Sequence, residues 1–341
     1  MKETTVVLEV AIPTYNRPNQ LKDCLRALVN CAEYLGYEDR QKVGIRVHNN
    51  STEALDEYNA VVSSFTGIFS RLNIGLFKYT ITGVNIGAPQ NNYSVIMSSE
   101  SEFTWYMPDD DLPRLDSLVV LMSVIDEFKP NLIIGGAESP LAVDYSISDN
   151  RDQRVPHHAE ENSISCVVEG ERCYEFFFGT NIIAAQNLVY NSRLLRAYVA
   201  ANSMRGLVDP FLPAFLALIC LNRNGPMVLL RLGIGIFRYN EPCSEWRHEW
   251  NRYALEVWPR TYRTWRKLGL VRPTPSHHSY FISSLYFYQC RLWCLFFGKY
   301  RLNLLTVARF YPFELFLMLF QAPFVCLQKV VKRSQRYLKL P

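Results

Sequence analysis

Between residues 6 and 134 the chain alternates short apolar runs with longer stretches of helical periodicity, and this alternation narrows the possible folds most. The runs at 6–12, 43–47, 77–81, 103–107 and 132–134 are too short for helices and read as buried strands. Between the first two, Pro18 suits a first helical turn, and Leu21, Leu25, Leu28, Ala32 and Leu35 recur at helical spacing. Further helices are expected over 53–64, 88–99 and 115–128, the first of them capped by the Ser51-Thr52 pair. Such strand–helix alternation predicts an α/β fold with a mostly parallel sheet and helices on both faces.

In sheets of this kind ligands bind at the carboxyl ends of the strands. The polar residues collect there. Pro13-Thr14-Tyr15-Asn16-Arg17 follows the first strand and His48-Asn49-Asn50-Ser51-Thr52 the second. Asn85-Ile86-Gly87 follows the third, and Asp109-Asp110-Asp111 closes the fourth. Three adjacent carboxylates repel one another unless a cation lies among them, and a hard divalent ion holding a diphosphate supplies one. A solvated acidic turn before the next helix is the alternative. Convergence of four polar loops on one rim favours the ion.

Beyond residue 135 the pattern loosens. Residues 136–165, with His157-His158 and several acids, read as a polar surface loop over the site. Helices are expected over 174–178 and 192–201, a strand over 186–190, and an apolar helix over 211–221 preceded by Asp209. Two strands, 228–232 and 234–237, are expected to pair.

The net charge of +4 conceals an asymmetry. Residues 259–341 carry 14 Lys and Arg against one acid, Glu314, whereas residues 1–258 carry 22 basic and 31 acidic side chains. The same last 83 residues hold 18 aromatics, which suits an anionic surface, membrane or nucleic acid. Segment 310–327 is the most apolar, yet contains Pro312, Glu314, Gln321 and Pro323. A spanning helix needs about 20 apolar residues, and a central carboxylate costs roughly 2.5–3.5 kcal/mol. Interfacial helices lying in one leaflet are therefore expected over 280–298 and 310–327, with a span, a re-entrant hairpin or a soluble core as alternatives. Lys329, Lys332, Arg333, Arg336 and Lys339 follow without an acid, each adding about 1 kcal/mol of attraction to an anionic leaflet. Nine dispersed cysteines with no Cys-x-x-Cys pair point to a reducing compartment rather than a disulfide framework or a zinc site. The N-terminus lacks the apolar core of a signal peptide, so a cytoplasmic protein is expected, peripherally attached to the inner membrane and without a nucleic-acid partner.

The four loops with their strands, Val10-Ala11-Ile12-Pro13-Thr14-Tyr15-Asn16-Arg17, Val47-His48-Asn49-Asn50-Ser51-Thr52, Asn85-Ile86-Gly87 with Asn91, and Trp105-Tyr106-Met107-Pro108-Asp109-Asp110-Asp111, resemble the ordered signature of family-2 glycosyltransferases with the GT-A fold. The match covers residues 6–135 well and 170–250 loosely. The resemblance implies a GT-A domain over 1–258, its nucleotide-binding half over 1–135 and its acceptor half over 136–258, with a helical, membrane-associating region over 259–341. It implies Mg²⁺ or Mn²⁺ on Asp111, with Asp109 on the ribose or the metal's water shell and His248 completing the shell. Asp110 would do either or orient the loop. Pro13, Thr14, Tyr15, Asn16 and Arg17 would line the nucleoside pocket, with His48, Asn49, Asn85, Gly87 and Asn91 around it and Arg238 on the diphosphate. His48 stands where the family usually has an aspartate, and an imidazole presents a different edge to the base. Asp209 would be the general base, although Val208 replaces the acid that usually precedes it.

The function so implied is inverting, metal-dependent transfer from a nucleotide-sugar donor to a saccharide or polyprenyl-linked saccharide acceptor. No Gln-x-x-Arg-Trp segment marks a processive enzyme. A nucleotidyltransferase acting on sugar phosphates is the alternative, though the loop after strand one lacks its glycines. An inactive membrane-peripheral scaffold is the other.

Overall fold

The computed structural model describes residues 5–136, 164–169, 173, 187–202, 212–221, 225–231, 233–236, 264–265 and 267–270. In chain order the first elements are β1 (Leu8–Thr14), α1 (Pro18–Glu33), α2 (Tyr37–Gln41), β2 (Val43–Asn49), α3 (Leu55–Arg71), β3 (Leu76–Ile81) and α4 (Ala88–Met97). There follow β4 (Phe103–Tyr106), β5 (Leu112–Pro113), α5 (Ser117–Phe128), β6 (Leu132–Ile134), β7 (Ile164–Val168) and β8 (Leu188–Asn191). Last come α6 (Ser192–Asn202), α7 (Leu212–Leu221), β9 (Met227–Leu230) and β10 (Gly235–Ile236).

β1 and β2 are buried along their whole length, so neither has a solvent face toward which polar residues could alternate. The two charged side chains in these strands neutralise each other: Glu9 and Arg46 form a buried ion pair between them. Eight strands make one sheet in the order β3-β2-β1-β4-β8-β6-β9-β7. The pairs β2/β3, β1/β2, β1/β4 and β6/β9 are parallel, and β7 and β8 run against the other six strands. The mostly parallel α/β sheet expected from the alternation is therefore present.

Helices cover both faces. α1 packs on α3 and α5, whereas α4 lies across β1 and β2 and packs on α6 and α7. α1 begins at Pro18 and buries the expected Leu21, Leu25, Leu28 and Ala32 together with Cys24 and Cys31, while Leu35 is buried just beyond the helix end at Glu33. α7 is apolar all round, and every residue but Pro213 is buried. At 10 residues it is a core helix, too short to cross a bilayer. No helix of the described residues is long and apolar enough to cross a membrane. The tail segments expected at 280–298 and 310–327 lie outside the described residues, as does the helix expected at 174–178.

Three expectations are corrected. The strands after residue 226 do not pair with each other: β9 lies between β6 and β7, and β10 pairs antiparallel with β5. Asn187 Oδ1 accepts the backbone N–H groups of Ile234 and Gly235 at 2.9 and 3.0 Å, which separates β10 from β9. α3 starts at Leu55 with Ala54 at its N-cap and no side-chain cap, because Ser51 is engaged elsewhere. It also runs on to Arg71, since Phe65 and Phe69 continue the buried face begun by Tyr58 and Val62. The polar excursion yields to β7 at Ile164, the outermost strand of the sheet.

The chain divides into two compact units, Met1–Asn240 and Glu241–Pro341. In the described part of the second, Trp265 and Leu270 are buried, and the Leu270 N–H donates to the Trp265 carbonyl at 2.9 Å.

Candidate active site

Register brings the predicted loops to one rim. Pro13 lies opposite His48 and Thr14 opposite Asn49, while Asn49 in turn lies opposite Ile81. Pairing continues beyond the strands: the Asn50 N–H donates to the Thr14 carbonyl and the Thr82 N–H to the Asn49 carbonyl, both at 2.9 Å. On the other flank the Met107 N–H donates to the Ala11 carbonyl at 3.0 Å, carrying β4 to the edge of the aspartate triplet. β2 and β3 lie to one side of β1 and β4 to the other, so strand order reverses between β1 and β4. That reversal is where open α/β sheets leave a crevice for ligands.

Thr14 and Asp109 face each other across it. Thr14 Oγ1 donates to Asp109 Oδ2 at 2.6 Å and lies 2.9 Å from the Tyr58 hydroxyl. Arg17 straddles the triplet, with Nη2 2.8 Å from Asp109 Oδ1 and Nη1 2.5 Å from Asp110 Oδ2. The Arg17 backbone N–H donates to the Tyr58 hydroxyl at 2.7 Å. Tyr58 was not among the residues expected here. Its sequence signal is a tyrosine on the buried face of a helix, where a phenol hydroxyl needs a partner.

The β1–α1 turn requires a left-handed residue. Asn16 supplies it at φ 50°, a conformation asparagine tolerates better than most side chains. Its N–H donates to Ser51 Oγ at 2.6 Å, tying the first loop to the second. Asn50 ties the second to the third, donating to Asn85 Oδ1 at 2.8 Å and accepting the Ile86 N–H at 2.9 Å. Gly87 opens α4 at φ 82°, where a side chain would be strained, and its N–H donates to Asn85 Oδ1 at 2.9 Å. Asn49 Nδ2 donates to the Tyr79 hydroxyl at 2.9 Å, and Tyr15 is exposed.

His48 and Asn91 are buried together, with Nδ1 of the ring 2.7 Å from Asn91 Oδ1. Asn91 Nδ2 faces the carbonyls of Thr14 and His48, each at 3.4 Å, so the amide nitrogen lies on that side and its oxygen faces the ring. The network thus assigns the proton to His48 Nδ1. In the neutral ring Nε2 is left as an acceptor.

The triplet divides by exposure: Asp109 is 0% and Asp111 5% exposed, whereas the Asp110 side chain is 40% exposed. Burial pushes the Asp109 carboxyl up to about 7, against the pull of the Arg17 guanidinium. Burial, followed by the charges of the triplet, also raises the Tyr106 phenol well above its ordinary range. Asp109 Oδ1 lies close to Arg17 Nη2, but no N–H is aligned on it for a hydrogen bond. Among the described residues no group of three His, Cys, Asp or Glu side chains is placed to hold a metal ion unaided. A hard cation nevertheless fits, since Mg²⁺ takes one or two carboxylates and fills its shell with phosphate oxygens and water.

Asp209, Arg238 and His248 lie outside the described residues. β5, which directly follows Asp111, pairs with β10.

No protein-family model matches the sequence, and no curated protein matches it either. Solved structures do. The crystal structure of S. aureus TarS 1-349 superposes with a TM-score of 0.54 at 13% identity, covering 86% of this chain and 75% of that one. The chain shares the TarS fold. TarS 1-349 in complex with UDP-GlcNAc gives a TM-score of 0.53 at 14% identity, over 89% of this chain and 79% of TarS. The GT-A kind of α/β sheet implied by the four loops is thus the fold found. TarS shares its architecture at an identity too low to carry a residue's role across.

Proposed function

We propose that this chain is a glycosyltransferase that takes a sugar from a nucleoside-diphosphate sugar, of the inverting family-2 kind. The observation that carries the reading is the Thr14–Asp109–Arg17 cluster at the β1/β4 strand reversal, with Asp110 paired to Arg17 and Asp111 beside it. It puts one cation and three carboxylates where this type of sheet receives a phosphorylated ligand. The TarS fold, crystallised with UDP-GlcNAc, supports the nucleotide-sugar class.

Arg17, its guanidinium fixed by Asp109 and Asp110, would line the nucleoside pocket, and Arg238 would meet the charge of the departing diphosphate. Asp111, and Asp109 through Oδ1, would hold the Mg²⁺ or Mn²⁺. Such an ion, when bound, stabilises negative charge on the leaving phosphates as a Lewis acid. Asp209 would take the proton of the acceptor hydroxyl as its oxygen attacks the anomeric carbon and the bond to the diphosphate breaks. Attack opposite the leaving group inverts the configuration. His48 would face the base. The excess of 14 basic side chains over one acid in residues 259–341 supports an anionic membrane face and hence a lipid-linked acceptor.

Calorimetric titration with UDP, GDP, CDP and dTDP, with Mn²⁺ and with EDTA, tests the donor class. One of the four is expected to bind, at least about tenfold more weakly once the metal is removed, an effect of about 1.4 kcal/mol or more. Binding of none, or identical binding by Asp111→Ala, overturns it. Removal of residues 280–341 should release the chain from anionic vesicles, and unchanged partitioning overturns the membrane part.

A further inference from the structure

We infer that Tyr58 is a positioning residue of the donor site, acting through a one-way hydrogen-bond chain that fixes both Arg17 and Thr14. The inference rests on the nucleotide-sugar reading above, and goes beyond it to a residue on neither of the loops that meet at the triplet.

The direction of the chain follows from counting protons. Each hydroxyl has one to give. With Asp109 ionised, the Thr14 proton is committed to its Oδ2, the shortest contact of the set at 2.6 Å. At the 2.9 Å contact between the two hydroxyls Thr14 must therefore accept and Tyr58 donate. The Tyr58 oxygen is then free to accept the Arg17 N–H at 2.7 Å. All three bonds point the same way, from the Arg17 amide through two hydroxyls to a fully buried carboxylate, and each polarises the next.

Two consequences reach the site. Arg17 is the N-cap residue of α1, has no side-chain cap there, and precedes Pro18, which has no N–H. The Tyr58 hydroxyl holds that backbone in place, and so sets where the guanidinium leaves the chain to bridge Asp109 and Asp110. It also turns the Thr14 proton onto Asp109. A phenylalanine would fill the same core position of α3 equally well, so packing does not account for the hydroxyl. Because Tyr58 comes from the helix after β2, it braces the first loop from outside that loop.

The test compares wild type, Tyr58→Phe, Thr14→Val and the double variant by calorimetry with the tightest-binding nucleoside diphosphate and Mn²⁺. Thermal unfolding is followed alongside. Tyr58→Phe is expected to bind about tenfold more weakly at temperatures where it is fully folded. The Arg17 amide should exchange its hydrogen faster than in wild type. Both substitutions break one chain, so the double variant should lose less than the product of the single losses. Affinity equal to wild type, or losses that multiply fully, overturns the inference while leaving the donor reading intact. A wild type that binds no nucleoside diphosphate overturns both, and the wild-type control alone reveals it. Should Tyr58→Phe not fold, Thr14→Val breaks the next link, and unchanged affinity there overturns the inference equally.

Discussion

Thr14 Oγ1 donates to Asp109 Oδ2 at 2.6 Å across 95 residues of sequence, joining the ends of β1 and β4 where the strand order reverses. Asp109 is completely buried, so this bond is part of what makes its carboxylate tolerable there. Thr14→Val leaves the shape and removes the donor. Stability measured by urea unfolding is expected to fall by about 1–3 kcal/mol. Thr14→Ser, which restores the hydroxyl, should recover most of it.

The Glu9–Arg46 pair makes a second prediction, away from the site. Both side chains are nearly fully buried between β1 and β2. Arg46→Met alone strands a carboxylate in the core and should cost about 3–5 kcal/mol in urea unfolding, whereas the double change Glu9→Leu with Arg46→Met should recover most of the loss. A double variant as unstable as the single one would contradict this.

The two predictions differ in how legible their residues were. The strands β1 to β4 and the loops that follow them could be read because the signals are local: a short apolar run, then turn residues. Pro18 at the head of α1 and Gly87 at the head of α4 belong to the same class. Pairing over long separations left no such mark. Nothing near Gly235 indicates a partner at Pro113, and neither does anything near Ser51 indicate that its hydroxyl serves Asn16 rather than α3. Tyr58 carries no such mark either, since periodicity identifies its buried face but not its hydroxyl's partners.

His48 bears on the base. With its proton held on Nδ1 by Asn91, the neutral ring offers Nε2 as an acceptor. An acceptor facing the ring nitrogen of the base suits uracil, thymine or guanine, which carry an N–H there, and opposes the bare N3 of cytosine or N1 of adenine, whose donors on that edge are confined to the exocyclic amino group. UDP, dTDP or GDP is expected to bind at least about tenfold tighter than CDP, since an unpaired buried acceptor costs about 1–3 kcal/mol. Competition calorimetry at mildly alkaline pH measures the ratio. Asn91→Leu removes the lock on the tautomer and should narrow it.

Buried thiols give a pH prediction. Burial pushes the Cys220 thiol in α7 up to about 12 from an ordinary 9.0. Burial, with Asp116 adding to it, also raises Cys31. The folded chain therefore holds these protons where the unfolded chain has lost them, and their contribution to stability declines as pH rises above 9 toward 12. At mildly alkaline pH iodoacetamide should label neither cysteine in the folded protein and both in denaturant, as read by mass spectrometry.

The central claim is that Asp111 and its neighbours serve transfer from a nucleotide sugar. The most direct measurement is release of nucleoside diphosphate from UDP-, GDP-, CDP- and dTDP-sugars, with Mn²⁺ and a membrane extract as the source of acceptor, by wild type and Asp111→Ala. The account predicts release from one donor by wild type and a loss of at least about a hundredfold in the variant, as expected when charge stabilisation of the leaving group is removed. Equal release by the two proteins, or release from no donor, would contradict it.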